Sequence, residues 1–388
     1  MEILPYLSAL LNFGNLSKSK NLETPLQQFI KNFEVKYKAK MISCHAENDA
    51  EAEDNNMFSG LPRLKFTYKE RRKTESGKAV LKIPSLTPSP NDPNEQLRKT
   101  NMLDREEHFY KTILPKLYEL GECKPFAPIL YAATEAKVLV LEDLSADGFQ
   151  PGDQFNQLDL DQSRISLDLL ATYHALSYGY LRDVLLTDPG WNLIRSYQPI
   201  LKNRLKKDSF DKFCTMIKPY LTQSLYQKIS RLQNKILATP KIPEPLSMTV
   251  IIHGDFRKNN ILFKYKENKV CEAKLINWQL SRTANPVLDL IYFFVTSVPI
   301  EIIESYEEEL QNFYLETLTN RLISLDPINS YNKHQFDDDM KDYNYHYLKT
   351  ICITWQEIMR AGPTDAETDQ HISSTVKWLR YLSKKGII

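Results

Sequence analysis

The chain has little that would tie it to one partner or compartment. Across 388 residues, 50 Lys and Arg stand against 49 Asp and Glu, a net charge of +1. It therefore lacks the single-signed field that gathers nucleic acid or an anionic membrane surface. Cysteine is sparse. Cys44, Cys123, Cys214, Cys271 and Cys352 are odd in number, scattered, and at neither metal-ligand nor redox spacing, which reads as reduced thiols. Long apolar runs are also missing. The longest, Leu290 to Val298, falls short of the roughly 18 residues a membrane helix needs. The opening MEILPYLSALLNFGNLSKSK has no basic leader and no small-residue cleavage site. The expectation is a soluble, cytoplasmic protein with no nucleic-acid or membrane partner.

What is present is ordinary for a globular protein: 42% apolar and 26% charged residues. The length exceeds one compact core and suits two domains, placed at 1–141 and 142–388. No internal repeat occurs. Ala46–Asn56 and Ser85–Pro93 are polar or proline-rich and read as loops. Arg63–Tyr68 alternates and Lys78–Ile83 is a short apolar run, a pair of strands. Leu103, Tyr110, Leu114 and Leu117 share a helical face, with Pro115 expected to kink or end that helix. Lys137–Leu141 reads as a buried strand. From Ser163 the pattern turns helical, with Ile165, Leu169, Tyr173, Leu176 and Tyr180 in one stripe. Leu185–Ala238 reads as interrupted helix. Strand-like runs at Thr249–Ile252 and Lys274–Ile276 precede a helical remainder.

The informative segment is HGDFRKNNILFKYKENKVCEAKLINWQLSRTANPVLDL, from His253 to Leu290. Asp255 follows a strand, Asn260 comes five residues later, Asn277 ends a second strand, and Asp289 opens an apolar helix. Phosphoryl transfer needs such an order: a carboxylate to take the proton of the attacking hydroxyl, then side-chain oxygens to hold the cation that screens the phosphates. Taken alone, His-Gly-Asp is better read as a turn, and Asn259-Asn260 reads as a cap. Asp289 is a helix cap or an anchor for the catalytic loop rather than a ligand. His174 reads as a core histidine, and Asp337–Asp339 as a solvated face.

On His253-Gly254-Asp255, Asn260, Asn277-Trp278-Gln279, Pro286, Asp289-Leu290 and Tyr292, the chain resembles the ecdysteroid kinase-like family of the aminoglycoside and choline kinase group. That resemblance implies an α+β, protein-kinase-like bilobal fold: a small N-terminal sheet lobe with one helix and a larger, mainly helical C-terminal lobe. It also implies ATP and Mg2+ as cofactors and a small-molecule hydroxyl acceptor. By position, Asp255 is the base and Lys82 the phosphate-holding strand lysine. Glu106 is its helix partner, Glu142 and Leu144 belong to the adenine-contacting hinge, and Asn260 and Asn277 are the metal ligands. Asn56 and Ser59 match the phosphate-covering loop. Lys82 as a snorkelling edge lysine and Glu106 as a solvated helix residue are the plain alternatives. A protein kinase is disfavoured by Gly254, where arginine would stand, and by the lack of an Ala-Pro-Glu-like sequence.

Three positions depart from the family pattern. Asn277 replaces the metal-binding aspartate and removes a negative charge. Asp54 replaces a glycine of the phosphate loop. Arg257 replaces a tryptophan and either brings positive charge near the phosphates or faces solvent. The expectation is an ATP-dependent kinase of a lipophilic alcohol, steroid-like or xenobiotic. A kinase-fold binding module with impaired transfer is the alternative. Tyr343, Tyr345, Tyr347, Trp355, Trp378 and Tyr381 either pack the helical core or wall an apolar acceptor pocket.

Overall fold

The structure is a computed structural model and describes residues 25–47, 63–82, 95–121, 123–134, 138–153, 157–184, 205–238, 248–326 and 331–388. The chain divides into two compact units, one of residues 1–115 and 125–150, the other of 116–124 and 151–388. The architecture is α+β, as expected, with a unit built on an antiparallel sheet and a mostly helical one.

The first unit is built on a five-stranded antiparallel sheet in the order β1-β2-β3-β5-β4. Its strands are β1 (Lys40–Glu47), β2 (Arg63–Glu70), β3 (Lys73–Lys82), β4 (Leu130–Ala133) and β5 (Leu139–Glu142). The expected β2 and β3 pair in register from Arg63 opposite Val80 to Glu70 opposite Lys73. A helix not read from the sequence, α1 (Pro25–Tyr37), covers one face. Its Phe29 and Phe33 are buried with Leu64, Phe66, Ala79, Leu81 and Val140, and their rings meet Phe66 edge-on at 5.5 and 5.1 Å. Phe66 lies across the strand partner Gly77, where a Cβ would meet the ring at 2.5 Å. Only glycine leaves room for the aromatic there.

After β3 comes α2 (Glu95–His108), which runs through a π turn at Phe109–Ile113 into α3 (Leu114–Leu120). The helix passes Pro115 instead of ending. Proline cannot donate to the preceding turn and crowds its carbonyl, and the widened π turn just upstream absorbs that misfit. A two-residue strand, β6 (Gln150–Pro151), marks the passage to the second unit.

In the second unit α4 (Leu160–Val184) buries Leu169, Tyr173, Leu176 and Tyr180 along the expected stripe, with Ile165 half-buried. Shorter helices α5 (Lys207–Ile217), α6 (Gln223–Arg231) and α7 (Gln233–Leu237) follow. The strands pair differently from their order along the chain. β7 (Val250–Ile252) pairs with β10 (Arg282–Ala284), while β8 (Ile261–Lys266) and β9 (Lys269–Leu275) form the hairpin. The remainder is α8 (Val287–Ser297), α9 (Ile300–Leu325), α10 (Lys333–Asp342), α11 (Tyr345–Ala361) and α12 (Asp365–Lys384). Helix α9 runs along α4. Among the described residues no helix is long and apolar enough to cross a membrane, and all five cysteines are free thiols.

Candidate active site

In the second unit the segment after β7 is held by a carboxylate buried beneath it. Asp289, in the first turn of α8, accepts the amide of His253 on Oδ2 at 2.6 Å and that of Gly254 on Oδ1 at 2.9 Å. It acts as the loop anchor, since no side-chain cap bond forms at that helix start. Burial alone would raise its pKa, but the bond and charge of His174, the charge of His253 and the Gly254 amide outweigh burial and hold the carboxyl below its usual range. His174 is the satisfied core histidine expected: its Nε2 lies 3.3 Å from Asp289 Oδ2 and its Nδ1 2.7 Å from the Tyr314 hydroxyl. The Asp289 carboxylate facing Nε2 can only accept, so Nδ1 accepts the Tyr314 hydroxyl, whose pKa burial and Asp289 push far up. The imidazole proton is thereby placed on Nε2, toward Asp289.

The same logic fixes His253. Its Nδ1 accepts the Asp255 amide at 3.3 Å, so its Nε2 carries the proton donated to the Ile276 carbonyl at 2.9 Å. This bond ties the His-Gly-Asp segment to the end of β9. Gly254 sits at φ +81°, and a Cβ there would strike the Leu280 carbonyl and the Arg282 guanidinium. Both the backbone conformation and the space require glycine.

Asp255 is presented with both carboxylate oxygens engaged. Asn260 Nδ2 donates to Oδ2 at 2.9 Å and to the Asp255 carbonyl at 2.7 Å. The Tyr292 hydroxyl donates to Oδ1 at 2.7 Å. Arg257 is half-buried and pairs with two carboxylates rather than facing solvent alone. Its Nε lies 3.4 Å from Asp255 Oδ1, and its Nη1 reaches Glu357 on α11 at 3.3 Å. Tyr292 follows Asp289 by three residues, so the two share the α8 face turned to the loop; that spacing was the available signal for its part. The Glu357 pairing joins residues a hundred positions apart and had no sequence signal.

Asn277 adopts a left-handed conformation (φ 67°, ψ 58°) at the start of a single 3-10 turn, one that asparagine tolerates better than most residues. Its Nδ2 donates to Oδ1 of Asn260 at 2.6 Å. The structure thus brings Asp255, Asn260 and Asn277 into one hydrogen-bonded chain. A magnesium ion calls for hard, mostly anionic oxygens. Here the two proposed ligands are neutral amides bonded to each other, and the adjoining carboxylate is already engaged on both oxygens. Among the described residues no group of three or more His, Cys, Asp or Glu is placed to hold a metal. As they stand, these side chains do not fit a protein-held magnesium ion.

In the first unit Lys82, the last residue of β3, reaches Glu106 of α2 at 2.5 Å. The Glu106 side chain is 0% exposed and that of Lys82 16%. This excludes the solvated reading of Glu106. At the end of β5, Glu142 is tied to Ile129 twice, by its amide at 2.8 Å and through its carboxylate at 3.0 Å. The Asp143 amide donates to the Lys78 carbonyl, and its carboxylate accepts the Ser145 amide at 3.0 Å. Leu144 is buried and begins a 3-10 turn, the position at which a helix leaves an amide without an internal acceptor. Asp54, Asn56 and Ser59 lie outside the described residues.

Of the six C-terminal aromatics, Tyr343, Tyr347, Trp355, Trp378 and Tyr381 are buried and Tyr345 is half-buried. The Tyr347 and Tyr381 hydroxyls both donate to the buried Glu307, so these two belong to the helical core. Asp339 is not solvated; it is buried and accepts the Tyr331 hydroxyl at 2.5 Å.

A curated relative, acyl-CoA dehydrogenase family member 11 of Pongo abelii, is 41% identical over 64 residues, covering 15% of this chain and only 8% of that protein's length. Similar solved structures include the microcompartment-associated aminopropanol kinase, at 12% identity over 92% of this chain and 98% of that one, with a TM-score of 0.41. The Plasmodium vivax ethanolamine kinase is 10% identical over 99% and 96%, with a TM-score of 0.43. The model of the ecdysteroid kinase-like family matches residues 53–326. That match spans more than half of the sequence, and the chain belongs to the ecdysteroid kinase-like family.

Proposed function

We propose that the protein transfers the γ-phosphate of ATP to a hydroxyl group of a small molecule, with Asp255 as the base. The observation that carries this reading is the presentation of Asp255. Its loop is clamped from below by Asp289 and its carboxylate is oriented by Asn260 and Tyr292. A carboxylate held this firmly in one rotamer is preorganised to meet a hydroxyl. In the step, the acceptor O–H gives its proton to an Asp255 carboxylate oxygen. The acceptor oxygen forms a bond to the γ-phosphorus, and the bond from that phosphorus to the β–γ bridging oxygen breaks. The electron pair leaves on ADP. Lys82, held by Glu106, would carry positive charge to the phosphates, and Leu144 would offer its amide to the adenine. Asn56 and Ser59 would cover the phosphates, as the family pattern implies. The resemblance favours a lipophilic alcohol as acceptor.

The Asn277–Asn260 bond favours a second reading, in which the fold binds a small molecule and transfers nothing. Phosphoryl transfer from ATP, assayed over a panel of alcohols with the wild type and Asp255→Asn, separates the two. Transfer lost in Asp255→Asn supports the kinase; no transfer to any alcohol by a wild type that binds those alcohols supports the binding module.

A further inference from the structure

The loop that presents Asp255 carries a cation of its own beside the base. Arg257 stands two residues on, in an extended conformation (φ −145°, ψ 162°), just before the 3-10 turn Lys258–Asn260. Its carbonyl accepts the Asn260 amide at 2.8 Å, which ties it to the turn that places Asn260 Nδ2 on Asp255 Oδ2 at 2.9 Å. The Arg257 side chain turns back, so that Nε lies 3.4 Å from Asp255 Oδ1 while Nη1 reaches Glu357 of α11 at 3.3 Å. The Arg257 side chain is 27% exposed and that of Asp255 8%. A permanent positive charge thus sits at the edge of a buried carboxylate, on the side a bound molecule can reach.

A phosphoryl group handled by Asp255 must come close to this charge. The acceptor oxygen lies within about 3 Å of the carboxylate when it gives up its proton, and that same oxygen bonds to the γ-phosphorus. A cation flanking Asp255 therefore flanks the phosphoryl oxygens as well. Magnesium is the usual source of that positive charge, but the amides of Asn260 and Asn277 bond to each other at 2.6 Å and do not fit it. Against the family pattern, Asn277 removes one negative charge and Arg257 adds one positive charge. The two departures together shift the site by two positive units, the charge of one magnesium ion. Arginine suits the task, because its planar fork matches phosphate oxygens and never loses its proton. The transfer step itself frees its charge. As the acceptor O–H gives its proton to Asp255, the carboxylate becomes neutral. The acceptor oxygen bonds to the γ-phosphorus, the β–γ bridge breaks, and the electron pair leaves on ADP. The guanidinium loses its counter-charge on Asp255 and faces the negative phosphoryl oxygens, a stabilisation that grows toward the transition state.

We propose that Arg257 is a phosphate-binding residue that supplies the positive charge otherwise provided by a protein-held magnesium ion, so that this chain holds the γ-phosphate of ATP without one. This deepens the kinase reading and rests on it for the transfer step. Glu357 holds the far end of the guanidinium at a more exposed position, where an ion pair is weak and yields readily to a phosphate.

The test needs no turnover. ATP binding to the full chain is measured by calorimetry, in EDTA and in millimolar magnesium. The wild type, Arg257→Gln, Arg257→Lys and the double variant Arg257→Gln with Asn277→Asp are compared. The wild type should bind ATP in EDTA, with an affinity that magnesium changes by less than about threefold. Arg257→Gln should weaken binding in EDTA about tenfold or more and Arg257→Lys should keep most of it, since the charge-assisted bond is lost only in the first. The double variant regains an anionic ligand and should bind ATP about tenfold more tightly in magnesium than in EDTA. A purely structural role for Arg257 produces no such exchange. Equal affinity in EDTA for the wild type and Arg257→Gln overturns the proposal and leaves the kinase standing. So does wild-type binding that needs magnesium. ATP bound in EDTA through Arg257 but never transferred to any alcohol defeats the kinase and leaves the phosphate contact standing. No ATP binding by the folded wild type in either condition defeats both.

Discussion

Asn277 donates from Nδ2 to Oδ1 of Asn260 across 2.6 Å, joining by a neutral bond two residues whose family counterparts share a cation. Asn277→Asp removes the donor and leaves two oxygens facing each other. The left-handed backbone at 277 suits aspartate nearly as well as asparagine, so no backbone strain confuses the result. The variant should lose about 1–2 kcal/mol of stability without divalent ions. It should regain that loss on adding millimolar magnesium, while the wild type gains little. Differential scanning calorimetry with and without magnesium reads both.

The Asp289 clamp predicts a large effect far from any substrate. Asp289→Asn turns a donor toward the amides of His253 and Gly254 and should cost about 2–4 kcal/mol. Because the folded carboxyl titrates below its unfolded value of 3.8, the stabilisation is present above that value and is lost as the pH falls through it toward the folded pKa. Acid titration of unfolding should show this loss in the wild type. The variant should lack that component.

Glu106 has its carboxylate buried against Lys82. Lys82→Met strands that charge and should cost about 3–5 kcal/mol, whereas the double variant Lys82→Met with Glu106→Leu should recover most of it. Both should lose ATP binding if Lys82 holds the phosphates. Urea denaturation and nucleotide titration on the two variants separate stability from function.

Lys349 makes an opposite prediction. Its pKa of about 8 lies below the ordinary 10.5, so the unfolded chain binds the extra proton between these values and stability from this group rises with pH across that window. Lys349→Met should abolish that rise, and near pH 7 it should be more stable than the wild type. Melting curves from pH 7 to 10 decide it.

The site was legible where function demands particular residue types at short spacing. Asp255, Asn260, Asn277 and Asp289 all lie within one readable segment, and Lys82 with Glu106 came from order along the chain. Helix α1 went unread although Leu26, Phe29, Phe33 and Tyr37 recur at helical spacing. Strand β1 lacks alternation, with Ile42 and Ser43 both exposed, and gives no period to find. The Arg257–Glu357 bridge, the exchange of strand partners that puts β7 beside β10, and the bond from Lys349 to the Ala238 carbonyl depend on contacts between distant segments. Asp339 shows the limit of reading charge locally: Tyr331, eight residues away, turns one acid of a polar run inward.

The most direct test of the central claim is ATP binding followed by melting temperature, in the wild type and in Lys82→Met, with and without magnesium. The account predicts that ATP raises the melting temperature of the wild type, by an amount equivalent to about 2.7 kcal/mol at a hundredfold excess over Kd, and that Lys82→Met shows no rise. No shift of the wild type at millimolar ATP, with or without magnesium, would contradict it.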